Sequence, residues 1–303
     1  MQKTLINTKL QFTGHETFPL RQLWLKKAFD AINANAPGIS PRTVFSGRDS
    51  ITDFGVGRNM VKAIRHWSVA TNIIEERKDH YKTTELGEFI FAENGIDPYI
   101  ESINTIWLIH WKLAAESLRS TTWYWLFNHV TEQIIDRDNL LEQLITFVIE
   151  NGVDVSKTTL KRDLDCCLRS YVPNSGMETP EEASESVLGE LGLLRLAGKG
   201  KFEFIRGPKN TLNDAVFAYA LLKFWEIHET SSVNTMSFET VTHDYKSPGR
   251  VFKLDEDSIA EKLLNLEQIS NGKLIWSDSA GIRQIIRVDE KIDSLAILRK
   301  AYE

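Results

Sequence analysis

The segment Gly14-His15-Glu16-Thr17 carries the first side chains of this sequence that could perform chemistry. An imidazole beside a carboxylate, just before a helix, can act as a general base and acid or can ligate a divalent metal. The alternative is a capping turn, in which Thr17 or Glu16 accepts the free N–H groups of the following helix. Taken alone, the segment favours the capping turn, because adjacent His and Glu side chains rarely converge without help from elsewhere in the fold.

A second candidate set lies on a predicted helix at residues 58–74. At 100° per residue, Arg58, Lys62 and Arg65 share one side of the helix, and Asn59 and His66 flank them. The opposite, apolar stripe is predicted to contain Met60, Ile64, Trp67, Thr71 and Ile74. Arg and Asn hydrogen-bond to base edges, and Lys and Arg bind phosphate oxygens. Because the helix contains no acidic residue, the pattern favours a nucleic-acid contact face over an ordinary solvated face, which mixes both charge signs.

Two more carboxylates, Asp163 and Asp165, lie in the charged segment Lys161-Arg162-Asp163-Leu164-Asp165. On a strand they would share a face and could hold Mg²⁺, whereas on a helix they would diverge. The flanking sequence is helical, so we expect a salt-bridged helix surface here.

Several other kinds of site are not supported. The two cysteines, Cys166 and Cys167, are adjacent, which is a poor geometry for a disulfide and supplies no CxxC metal pair, so we expect no zinc. There is no phosphate-binding GK[ST] loop and no complete dinucleotide-binding fingerprint. Position 19 is Pro, which rules out an HExxH metalloprotease motif starting at His15. No standard catalytic class follows from motifs.

The elements around the basic helix have a recognisable order. The sequence predicts a helix from Pro19 to about residue 36, a short helix at 48–54, the helix at 58–74, and a hairpin whose turn lies at 75–80. Helix, short helix, long helix and hairpin is the order of a winged helix-turn-helix. We therefore predict a winged-helix-like DNA-binding unit over residues 1–95.

The rest of the chain is predicted to be mainly α-helical with small β-hairpins. Residues 96–172 form a Trp-rich helical middle, and 173–210 a loop or linker with a short strand at 202–205. Residues 211–303 contain an amphipathic helix at 212–228, helices at 237–243 and 255–266, and a hairpin at 273–288. That order predicts a second winged-helix-like or α/β unit, although the two halves share no sequence repeat.

The charge distribution agrees with an N-terminal nucleic-acid site. The whole chain carries a formal net charge of -6, but residues 1–82 hold 13 basic and 7 acidic residues. Such asymmetry suggests one lobe for a polyanion and another that is solvated or meets a basic partner. No apolar run is long enough to span a membrane, and the N-terminus lacks the features of a signal peptide. We expect a cytoplasmic protein without a membrane partner.

Several longer strings resemble a known bacterial family. They are Phe12–Arg21, Gly55–Val61, Ile64–Trp67, Asp97-Pro98-Tyr99, Trp107–Trp111, Leu160–Asp163 and Pro248–Phe252. Together they resemble the domain-of-unknown-function 4007 family, whose members look like the SspB component of DNA phosphorothioation systems. In these phage-defence systems sulfur replaces a non-bridging phosphate oxygen of DNA.

The resemblance implies DNA binding and DNA nicking, beside a cysteine desulfurase, an ATPase and an adenylating sulfur-transfer enzyme as partners. A nicking site usually needs Mg²⁺ or Mn²⁺ or a general base. His15 and Glu16 are then the candidate base or metal ligands, and Arg21, Arg58 and Arg65 the candidate phosphate clamp. The alternatives are a non-catalytic DNA-binding adapter that recruits the sulfur-transfer machinery through its acidic C-terminal part, and a transcription regulator.

Overall fold

The computed structural model of the chain describes residues 10–34, 38–116, 119–172, 186–228, 234–279, 281–289 and 291–303. Helices predominate over these residues, and the strands form three separate antiparallel sheets of three strands each. The prediction of a mainly α fold with small hairpins is therefore confirmed.

The first sheet belongs to a unit that we call the first unit. It comprises α1 (Trp24–Asn33), β1 (Ile39–Pro41), α2 (Ser50–Phe54), α3 (Arg58–Ala70), β2 (Ile74–Glu76) and β3 (His80–Thr83). The prediction that α1 starts at Pro19 is wrong. The helix begins at Trp24, because residues 14–17 form a turn and Pro19 lies in the irregular segment that follows it. Gly55 ends α2 with a φ of 63°, a conformation that glycine adopts without strain.

The predicted hairpin is present, and it gains a third strand. Glu75 of β2 lies opposite Lys82 of β3, so the turn is shorter than the predicted 75–80 and lies at 77–79. On the other side of β3, β1 pairs antiparallel, with Ile39 opposite Lys82. The sheet order is thus β1-β3-β2, with the first strand of the unit paired to the last.

Helices connect the first unit to a second unit. The connecting helices are α4 (Glu85–Phe91) and α5 (Ile103–Trp111), followed by a π-helical turn, Lys112–Glu116. The second unit comprises α6 (Thr121–Asn128), β4 (Ile134–Asp136), α7 (Arg137–Glu150), α8 (Lys157–Tyr171), β5 (Leu194–Gly198) and β6 (Lys201–Phe204). Ile135 of β4 lies opposite Phe202 of β6, and the sheet order is β4-β6-β5.

The second unit crosses a boundary predicted from the sequence. One of its strands comes from the segment 96–172, and the other two come from the segment 173–210. The predicted division at residue 172 therefore passes through a folded sheet. The polar stretch 173–185, which suggested the linker, lies outside the described residues.

The third unit lies in the C-terminal part of the chain. It comprises α9 (Asp214–His228), β7 (Thr235–Ser237), α10 (Phe238–His243), α11 (Pro248–Val251), α12 (Glu256–Leu264), α13 (Leu266–Ile269), β8 (Leu274–Ser279) and β9 (Ile282–Arg287). Helix α14 (Ser294–Arg299) follows it. The helices and the hairpin predicted at 237–288 are all found, and the sheet order is β7-β9-β8.

The three units share one arrangement. Each has a helix, a strand, further helices and a hairpin, and in each the first strand pairs with the last. A common core joins them. Residues 215–222 of α9 are all buried, as expected of a helix that is apolar on every side, and α9 packs against α5 and α14. Within the described part of the chain, no helix is long and apolar enough to span a membrane.

Candidate nucleic-acid interface

Helix α3 presents a polar face at its N-terminal half. Arg58, Asn59 and Lys62 are exposed and Arg65 is half-buried. The residues buried on the other side are Val61, Ala63, Ile64, His66, Trp67, Ser68 and Ala70. Arg58 and Arg65 form no hydrogen bond or ion pair with another residue that the structure describes, so their N–H donors remain available to an anionic ligand.

His66 does not belong to that face, which corrects the sequence prediction. Its ring is 5% exposed and lies edge-on to the rings of His15 and Trp67, with centroids 5.6 and 5.0 Å away. Burial lowers the pKa of His66 well below its usual value, and the positive charges of His15, Arg119 and Arg65 lower it further. The helical angle alone placed His66 beside the arginines, but the 14–17 turn covers this flank of α3.

The 14–17 turn has an unusual backbone. Gly14, Glu16 and Thr17 all have positive φ, of 119°, 50° and 65°. A Cβ atom at Gly14 would lie 2.5 Å from Nδ1 of His66, so only glycine fits against the buried ring. Left-handed backbone at Glu16 and Thr17 costs on the order of 1 kcal/mol or more each and persists only where surrounding contacts enforce it. Those contacts come from His15, which lies between Gly14 and Glu16.

His15 anchors the turn to α8. Its Nε2 lies 2.5 Å from Oδ1 of Asp163, and its Nδ1 accepts a hydrogen bond from the Thr17 backbone N–H at 3.0 Å. Oδ2 of Asp163 accepts a hydrogen bond from the Thr122 hydroxyl on α6. His15 and Asp163 are both almost fully buried, and the His15 ring stacks on Trp67 with centroids 5.9 Å apart. One side chain therefore links the turn, α3 and α8.

The electrostatics of His15 favour a proton on Nε2. Burial disfavours the charged ring, but the neighbouring Cys166 and Asp163 raise the pKa of His15 to about 10. The Thr17 N–H at Nδ1 favours the neutral ring, whose single proton is then on Nε2. In either charge state Nε2 carries a proton and donates it to Asp163. In the neutral ring the lone pair is on Nδ1 and accepts the Thr17 N–H, so neither nitrogen is free to act as a base. The contacts favour a positioning role for His15.

Asp163 is the site residue that the motif analysis missed. The predicted salt-bridged surface is found at its neighbour Asp165, whose Oδ1 lies 2.5 Å from Nη2 of Arg137. A sequence signal for Asp163 exists. It occupies the i+3 position of the apolar stripe that starts at Leu160 and continues through Leu164 and Cys167, so α8 must bury it. A buried carboxylate needs a partner, and His15 is that partner.

Glu16 lies within the anchored turn, and Arg21 follows the turn in the chain. Oε1 of Glu16 is 3.6 Å from Nζ of Lys62 on α3, and a third of the Glu16 side chain is exposed. Glu16 also lines a cavity of about 210 Å³ together with Thr13 and Arg162. The guanidinium of Arg21 lies over the rings of Phe18 and Trp24, 5.9 and 5.4 Å from their centroids. The structure thus brings His15, Glu16 and Lys62 together.

The predicted site residues do not form a complete metal site by themselves. Among the described residues, no three His, Cys, Asp or Glu side chains converge as ligands. The oxygens of Asp163 are occupied by His15 and Thr122, and Glu16 offers a single partly exposed carboxylate. We assign no reaction step to a metal ion.

Comparisons with known proteins place the chain in a family. The family model described as protein of unknown function DUF4007 matches residues 12–302. The chain belongs to the DUF4007 family. A magnesium-ion-bound SspB crystal structure aligns with a TM-score of 0.85 and 25% identity over 99% of this chain and 89% of that chain. A further SspB crystal structure aligns with a TM-score of 0.82 and 25% identity over 96% and 86% of the two chains. No match was found among curated proteins. The resemblance inferred from sequence is confirmed.

Three of the strings quoted above, Phe12–Arg21, Ile64–Trp67 and Leu160–Asp163, meet at the anchored turn. Phe12–Arg21 contains the turn, and Leu160–Asp163 contains its anchor. The distant string Pro248–Phe252 also contributes, because Arg250 donates to the backbone oxygens of Asn128 and His243. Asn128 ends α6, the helix that carries Thr122, so Arg250 satisfies a free carbonyl at the end of that helix.

Proposed function

We propose that this DUF4007 protein binds duplex DNA through the exposed face of α3, as the DNA-binding component of a phosphorothioation system. The observation that carries the proposal is the polar face of Arg58, Asn59, Lys62 and Arg65 on a helix that contains no acidic residue of its own. The guanidinium groups of Arg58 and Arg65 have no protein partner among the described residues. Cations without a protein counter-ion suit the phosphate backbone of DNA.

The topology of the first unit supports this use of α3. The order α1, β1, α2, α3, β2, β3 is that of a winged helix-turn-helix. In such a unit the second helix of the helix pair enters the major groove, and its N-terminal residues reach the bases. Arg58, Asn59 and Lys62 lie at that end of α3, so we assign base and phosphate contacts to them, and phosphate contacts to Arg65 and Arg21.

The likeness to SspB structures supports the biological setting. In this proposal the partners are a cysteine desulfurase, an ATPase and an adenylating sulfur-transfer enzyme of the same system. We assign their contact surface to the acidic C-terminal part of the chain, where α12 exposes Glu256, Asp257 and Glu261.

The test of DNA binding is fluorescence anisotropy with a short labelled duplex. The double substitution Arg58→Ala/Arg65→Ala is expected to weaken binding by about tenfold or more at moderate salt, because two phosphate contacts are lost. The control is Lys273→Ala/Lys291→Ala, which removes two charges from the segments that flank the hairpin of the third unit. Equal affinity of both variants would reject α3 as the contact surface.

A second candidate function is DNA nicking at the anchored turn. The observation that favours it is the partly exposed carboxylate of Glu16 beside Lys62, in a backbone held in a strained conformation. A carboxylate can orient a water molecule at a phosphodiester, or would supply one ligand to a Mg²⁺ or Mn²⁺ ion whose other ligands come from DNA and water. His15 is then required to hold the turn, and its role as the catalytic base stays a prediction.

Nicking is tested by conversion of supercoiled plasmid to the open circle with Mg²⁺ or Mn²⁺. Glu16→Gln is expected to abolish nicking and to leave DNA affinity nearly intact, and Glu142→Gln, at an exposed position on α7, serves as the control. If the wild-type protein binds the plasmid but does not nick it, the protein is a DNA-binding adapter.

A further inference from the structure

We infer that helix α8 contacts the same DNA duplex as α3, so that the protein grips DNA with two recognition helices from two units of the same topology. This inference rests on the proposed function of α3. The first observation is topological. In the first unit, α3 follows α2 and precedes the hairpin strands; in the second unit, α8 follows α7 and precedes the hairpin strands. The sheet orders, β1-β3-β2 and β4-β6-β5, also correspond.

The second observation is the charge of the outer face of α8. Lys157, Lys161 and Arg162 are all exposed. Lys157 is paired with Glu142 of α7 at 2.6 Å, but neither Lys161 nor Arg162 forms a hydrogen bond or ion pair with another described residue. The two acids of the helix do not offset this charge. Asp163 is buried against His15, and Asp165 is paired with Arg137. The outer face of α8 is therefore basic, as that of α3 is.

The third unit provides an internal contrast. Its helix α12 exposes Glu256, Asp257 and Glu261. The only basic residue of α12, Lys262, is held 2.7 Å from Oδ1 of Asp214. A phosphate backbone would be repelled by this helix. The shared topology alone therefore does not predict DNA binding, and the charge of each helix separates the first two units from the third.

The third observation is that α3 and α8 flank the same turn. Glu16 reaches Lys62 on α3, while Thr17 accepts a hydrogen bond from Nη2 of Arg169 on α8 at 2.8 Å. Arg162 lines both the cavity beside Glu16 and a neighbouring cleft of about 420 Å³, which also contains Arg169 and the ion pair of Arg137 with Asp165. A DNA backbone lying across residues 13–17 would meet cations on both sides.

His15 fixes the relation between the two helices. Its ring packs on His66 and Trp67 of α3, and its Nε2 is bound to Asp163 of α8. Asp163 directly follows Arg162, so the buried contact and the outward cation are neighbours on one helix turn. The buried pair therefore holds two basic faces in register for one duplex.

The test compares the salt dependence of duplex binding for four proteins. They are the wild type, Lys161→Ala/Arg162→Ala, Arg58→Ala/Arg65→Ala, and Lys273→Ala/Lys291→Ala as the control with the same loss of charge. If Lys161 and Arg162 each contact a phosphate, their removal lowers the slope of log K against log salt by about 1.8, because each phosphate contact contributes about 0.9. The control slope stays at the wild-type value. Thermal unfolding checks that each variant is folded.

The outcomes separate the two proposals. A reduced slope for both the α3 and the α8 variants supports a grip by two helices. A reduced slope for the α3 variant alone overturns the inference about α8 and leaves the proposed function standing. Unchanged slopes for both variants, or no duplex binding by the wild type, reject the proposed function itself.

Discussion

The pair of His15 and Asp163 shows how one buried contact can shape an exposed surface. Neither side chain reaches solvent, yet together they hold the turn that carries Glu16 and they join α3 to α8. A buried ion pair adds little net stability compared with apolar packing, but removal of one partner leaves the other uncompensated. We therefore expect the pair to act by positioning.

Asp163→Ala is expected to lower the free energy of unfolding by about 3 kcal/mol or more, because His15 and Thr122 lose their shared acceptor. Urea denaturation measures the change. Asp165→Ala is the matched control two residues away on the same helix. Its ion pair with Arg137 is about one-third exposed, and its loss is expected to cost about 1 kcal/mol or less. Equal losses for the two variants would contradict the assignment.

His129 is expected to make the stability pH-dependent. Burial, and then the positive charge of Arg250, lower its pKa to about 4 from an ordinary value of 6.5. Between these two values the unfolded chain binds a proton that the folded protein does not. Stability is therefore lost as pH falls from 6.5 towards 4, by up to about 1.4 kcal/mol per pH unit.

His129→Phe keeps an aromatic ring against Tyr245, whose centroid lies 4.5 Å away, and removes the titration. Urea denaturation between pH 5 and pH 7 is expected to show a shallower loss of stability for this variant than for the wild type. An unchanged pH dependence would show that His129 is not one of the groups responsible.

At the scale of the element, local patterns predicted the helices and hairpins but not the contacts between distant segments. The bounds of α3, β2 and β3 follow from periodicity and turn residues within a few positions. The burial of His66 does not, because it depends on the turn that His15 anchors. The periodicity of α8 accounts for the burial of Asp163, but it does not identify the partner, His15, which lies 148 residues earlier. Strands β1 and β4 are three residues long, too short for an alternation to stand out.

The turn itself is expected to tolerate no side chain at Gly14. Gly14→Ala would combine a φ of 119° with a clash against the His66 ring, so we expect a loss of about 2 kcal/mol or more in unfolding free energy and weaker DNA binding. Gly57→Ala is the control. It has an ordinary φ of -63° and open space around the new Cβ, so its cost is expected to stay within about 1 kcal/mol. Similar stability of both variants would show that the turn adapts.

At the scale of the whole molecule, three units of one topology carry helices of opposite charge. α3 and α8 present basic faces, and α12 presents an acidic one. This distribution allows a chain with a net charge of -6 to bind a polyanion at one side. The charge split is visible in the sequence. The basic face of α8 is not, because its relation to α3 depends on the shared topology of the first and second units.

The most direct measurement of this account is site-specific crosslinking to DNA. The two native cysteines are fully buried, so a cysteine placed at an exposed position can be labelled selectively with a photoactivatable reagent. Asn59→Cys on α3 is expected to crosslink efficiently to a bound duplex, and Asp257→Cys on α12 is expected to give only background. Crosslinking from position 257 but not from position 59, with duplex binding intact, would contradict the assignment of α3 as the DNA-binding helix.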